Sequence, residues 1–109
     1  MAPASYNLTI RKDSTWSQKL RWVDLTGYTA RMQIRPVLQS PIVMVELTSE
    51  NGRITLGGAT GEITLSLDAT TTAGLTPAAG VYDLAVESLD GTVTALLEGR
   101  VRIDQEVTR

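Results

Sequence analysis

A chain of 109 residues with 42% hydrophobic content is long enough for one domain with one buried core. Ten basic and twelve acidic residues give a net charge of -2, mixed along the chain rather than blocked, which argues against a nucleic-acid binder. The chain has no cysteine and no histidine, which excludes disulfides, Ser-His-Asp and Cys-His catalysis and the usual zinc ligand sets.

No apolar run approaches the ~20 residues of a membrane span. The opening "MAPASYNLTIRKD" lacks a long apolar region, so no secretory signal is expected and assembly in the cytoplasm is the default. The Asn7-Leu8-Thr9 sequon carries no meaning in such a chain.

Period-2 alternation then dominates, as half-buried strands require. In "SYNLTIRK" the inward set is Tyr6, Leu8 and Ile10; in "TWSQKLRWV" it is Trp16, Leu20 and Trp22, interrupted by Gln18. "DLTGYTARMQIRP" alternates most cleanly, with Tyr28, Ala30, Met32 and Ile34 inward and Thr29, Arg31, Gln33 and Arg35 outward. Pro36 and Pro41 mark the next segment as a loop or an edge. "IVMVELT" places Val43, Val45 and Leu47 on one face.

Two short strands follow, Arg53–Leu56 and Glu62–Leu67, with Asn51-Gly52 and Gly57-Gly58 supplying positive φ for turns. Asp68 is placed to cap a short helical turn that ends near Gly74, with Pro77 beyond. The last third predicts a hairpin across Asp90-Gly91, with Tyr82, Leu84 and Val86 opposite Val93, Ala95 and Leu97. Val101 and Ile103 continue the series with Leu96 and Glu98 outward, and a bulge at Gly99 is one way to break the phase. The whole reads as a single domain over residues 1–109, all-β. About seven or eight short strands and one helical turn fit an immunoglobulin-like or related antiparallel β-sandwich, or a small barrel.

The chemistry left to such a chain is that of carboxylates. Asp83 with Glu87, or Asp104 with Glu106, share a face, but alternating acidic residues on a strand are usually a solvated surface. Glu46, Glu50 and Asp68 lack calcium-loop spacing, and "GGATGE" lacks the lysine of a phosphate loop. No catalytic, metal or cofactor site is expected. Arg31 and Arg35, with Lys19 and Arg21 near them in sequence, suit pairing with acidic groups within the sheet or across a subunit boundary. Aromatic residues, at 5%, are too sparse for a stacking platform. Trp22 reads as core, while Trp16 fits either core or interface.

Three stretches carry a resemblance: "YNLTIRKDSTWSQKLRWVDLTGYTARMQIR", "ELTSENGRITLGGATGEITLSLDATTTAGL" and "GVYDLAVESLDGTVTALLEGRVRIDQEVTR". Together they resemble small structural proteins of tailed bacteriophages, including the N-terminal domain of upper baseplate proteins. The resemblance implies a noncatalytic virion component, multicopy, in the tail, neck or baseplate. Its partners would be copies of itself and other virion proteins, with no nucleic acid and no membrane. The interface residues expected on this reading are Trp16, Arg31, Arg35, Val43 and Val45. The region "QSPIVMVELT" is the expected strand-accepting edge. Two other functions fit the same chain: a capsid decoration protein on the phage head, and a carbohydrate-binding adhesion module using Trp16 and Tyr6.

Overall fold

The structure, a computed structural model, describes residues 4–37, 39–75 and 79–104. Among them nine strands form two facing sheets, an all-β sandwich. The larger sheet holds β1 (Ala4–Ser5), β2 (Leu8–Arg11), β4 (Thr29–Arg35), β5 (Val45–Thr48), β8 (Ala79–Glu87) and β9 (Val93–Asp104). Its order is β5-β4-β8-β9, with β1 and β2 both laid along the far side of β9. The smaller sheet is β3 (Trp16–Arg21), β7 (Glu62–Leu67) and β6 (Ile54–Leu56), in the order β3-β7-β6. The core lies between the two, with Ile10, Met32, Ile34, Leu47, Leu84 and Val101 from one sheet against Ile54, Ile63, Leu65 and Leu67 from the other.

The alternation that predicts β4 holds: Ala30, Met32 and Ile34 are buried, and Thr29 and Arg31 are exposed. The short helix α1 (Ala69–Ala73) forms where the sequence places it. The Asp68 carboxylate accepts the Thr71 N–H at 2.8 Å, and Gly74 closes the other end. Asp68 is held below the usual carboxylate range first by its bond from the Thr71 side chain and then by the Thr71 N–H. Gly52 (φ 80°) and Gly58 (φ 65°) make the expected left-handed turns, and Pro77 lies outside the described residues.

Four expectations change. The first segment is two strands rather than one, because the chain leaves the ladder at Tyr6 and Asn7; Tyr6 is therefore exposed, not inward. There the Tyr6 N–H donates to the Glu98 carbonyl at 3.0 Å, and the Asn7 side chain accepts the Arg100 N–H at 3.0 Å. Both β1 and β2 run parallel to β9, so the sandwich is antiparallel everywhere but at that edge. Val43 falls in the loop before β5 and stays exposed, because the strand starts only at Val45.

In the closing hairpin, Leu84 does face Leu97, but Val86 faces Thr94 and Val93 faces Glu87. The irregularity is not at Gly99: the register shifts between Leu84 and Ala85, so Leu96 is the extra residue on β9. Val93 and Ala95 are thereby turned outward, while Val101 and Ile103 point into the core. Gly99 has a different duty. A Cβ there would lie 2.2 Å from the Tyr6 carbonyl oxygen, so the crossing between β1 and β2 needs the space that glycine leaves.

Candidate assembly surface

The outer face of the larger sheet gathers most of the charged residues singled out in the sequence. Register sets them in rows across the strands. One row runs Glu46, Gln33, Asp83, Glu98 and Ser5, from β5 to β1. The next, two residues along each strand, runs Arg35, Val81 and Arg100. Asp83, Glu98 and Arg100 are exposed, Arg35 is half-buried, and together with Gln33, Val81 and Ser5 they line a hollow of about 420 Å³.

A relay of hydrogen bonds crosses this face and ends in the loop between β4 and β5. Gln33 Nε2 donates to Glu46 Oε2 at 2.7 Å, and Arg35 Nη2 donates to Gln33 Oε1 at 2.7 Å. Arg35 Nη1 donates to the Ser40 carbonyl at 2.6 Å, and Ser40 Oγ accepts the Ile42 N–H at 3.0 Å. The guanidinium thus pins the middle of a loop whose Val37 and Ile42 are 61% and 65% exposed, with Val43 beside them.

The structure separates the sequence-predicted interface residues. Arg31 is exposed on β4, and among the described residues its side chain has no hydrogen bond or ion pair. Arg35 and Val43 come together at the pinned loop. Trp16 and Val45 do not belong to the surface: they are 8% and 7% exposed, packed in the core. Each sits on the inward phase of its strand, which period-2 spacing alone does not distinguish from an interface stripe. Burial of Trp16 also removes one of the two aromatics of the carbohydrate reading, leaving Tyr6. Trp22 is half-buried against Tyr28, ring centroids 6.2 Å apart and edge to face.

Arg100 was not singled out by sequence, because only the pairing of β8 with β9 brings it level with Arg35. The carboxylates expected to share a face, Asp83 and Glu87, do so, with four residues of strand rise setting their Cα atoms about 13 Å apart. Glu106 lies outside the described residues. Among the described residues no three acidic side chains converge as a metal site.

The β5 segment is an edge of the larger sheet, as expected of "QSPIVMVELT". A second concavity of about 310 Å³ opens between the sheets, lined by Leu20, Trp22, Ile63, Leu84, Leu96 and Leu97. No helix among the described residues is long and apolar enough to cross a membrane. A scan against protein-family models and a search of curated proteins each returned no match.

Proposed function

We propose that this chain is a noncatalytic structural protein of a tailed-phage virion, a multicopy part of the tail, neck or baseplate that acts by protein–protein assembly in the host cytoplasm. The observation that supports it is the exposure of Val37, Ile42 and Val43 beside the open edge of β5, where Arg35 donates to the Ser40 carbonyl. Exposed apolar side chains next to an unpaired strand edge give a neighbour both apolar surface to cover and a ladder to extend. Use of one such patch many times follows from symmetry.

Immunogold electron microscopy of purified particles tests the reading. Label at the tail, neck or baseplate is the expected result. Label spread over the head makes the chain a decoration protein instead. Particles in which mass spectrometry finds no trace of the chain overturn the virion reading.

A further inference from the structure

The acidic and basic rows of the larger sheet raise a problem that the single chain leaves unsolved. Asp83 stands directly opposite Glu98 on neighbouring strands. Like charges in that position destabilise a sheet. Among the described residues neither carboxylate has a hydrogen bond or an ion pair, and the Arg100 guanidinium has none either. Two charge pairs do form elsewhere: Arg102 meets Asp104 at 2.6 Å two residues further along β9, and Arg21 meets Glu62 at 3.8 Å. These three unpaired groups, Asp83, Glu98 and Arg100, border the same hollow of about 420 Å³.

We propose that this face binds a second copy of the chain, related by a two-fold axis that runs across the strands between the Asp83–Glu98 row and the Val81–Arg100 row. Rotation about that axis reverses the strand direction and lays each acidic row over the other copy's basic row. Glu98 then faces the partner's Arg100, and Asp83 lies between the partner's Arg35 and Arg100. An axis parallel to the strands would instead set like rows on like rows.

The charge pattern selects this occupant over others. An anion would suit Arg35 and Arg100 but meet Asp83 and Glu98, and a basic peptide would meet the reverse conflict. A face with the same rows in inverted order satisfies both, and a two-fold copy of the face is such a surface. Arginine and glutamate side chains together span the roughly 10 Å that separates packed sheets.

The inference rests on the assembly reading only in taking copies of the chain as partners, and it is tested in solution without particles. Sedimentation of the full chain at low salt is expected to show a dimer that dissociates as salt rises. Arg100→Glu alone and Glu98→Arg alone should each weaken association by about tenfold or more. Mixing these two variants should restore a dimer, since each supplies the charge that the other needs, and misfolding would not be rescued in this way. Circular dichroism of each variant checks that the sheet is intact. A wild-type chain that stays monomeric, a dimer indifferent to both reversals, or variants that do not recombine would each overturn the proposal. Failure of the virion reading, by contrast, would leave the dimer in place.

Discussion

Gly99 and Tyr82 face each other across β8 and β9, and the chain between β1 and β2 passes over the pair. The Tyr82 hydroxyl donates to the Tyr6 carbonyl at 2.6 Å, and a Cβ on residue 99 would lie 2.2 Å from that same oxygen. Gly99→Ala must therefore displace backbone rather than a flexible side-chain tip. A loss of about 1–3 kcal/mol is expected, read from the shift of the urea midpoint at constant slope. Burial, with a smaller contribution from Tyr6, pushes the Tyr82 phenol from 10.0 up to about 12. Because the folded state favours the neutral phenol, its contribution to stability is complete below about pH 10 and is lost as pH rises toward 12. Tyrosinate absorbance should show a component ionising near pH 12, and Tyr82→Phe should remove it.

At the scale of elements, α1 acts as a clasp on the turn between β2 and β3. Thr72 is fully buried; its hydroxyl donates to the Ser14 carbonyl at 2.8 Å and accepts the Ser14 N–H at 3.2 Å. Thr72→Val keeps the shape and removes both bonds. It should cost about 1–3 kcal/mol, because the Ser14 groups lose their partner. Thermal melts would register this as a lowered midpoint, whereas an unchanged melt would mean that water replaces the hydroxyl.

Elements set by near neighbours in sequence were legible. The Asp68 cap, the Ile54–Leu56 and Glu62–Leu67 strands and the faces of β4 each depend on residues within a turn or a strand of one another. The bulge was not legible, because Leu96 and Leu97 are both apolar and satisfy either phase of the alternation. Nor was the parallel edge, since a pairing between Leu8 and Val101 leaves no local mark. The candidate surface followed the same division: Arg31 and Arg35 stand out within one strand, while Arg100 gains its place only from register across β8.

For the whole molecule, the crowded carboxylates set monomer stability against association. Glu98→Gln relieves the like-charge pair with Asp83, so the isolated chain should gain about 0.2–1 kcal/mol in a chemical melt at high dilution. The same change removes the group that faces the partner's Arg100 in the proposed dimer and should weaken association measured by sedimentation. A substitution that shifted both measurements in the same direction would contradict the proposed docking.

The parallel edge has a mechanical meaning. β2 lies alongside β9 over four residue pairs, Leu8 with Val101 through Arg11 with Asp104, and both strands run the same way. Tension applied before β2 and beyond β9 drags the two in opposite senses along their common axis. The ladder is then loaded in shear, with its bonds sharing the force, instead of being unzipped one bond at a time as at a hairpin end. Stretching single molecules through attachments at Ala4 and Asp104 should therefore need more force than pulling through Thr29 and Ser49, which lie side by side at the open end of the β4–β5 hairpin. With β2 and β9 clamped in this way, the domain can carry tension between these two strands without opening its core.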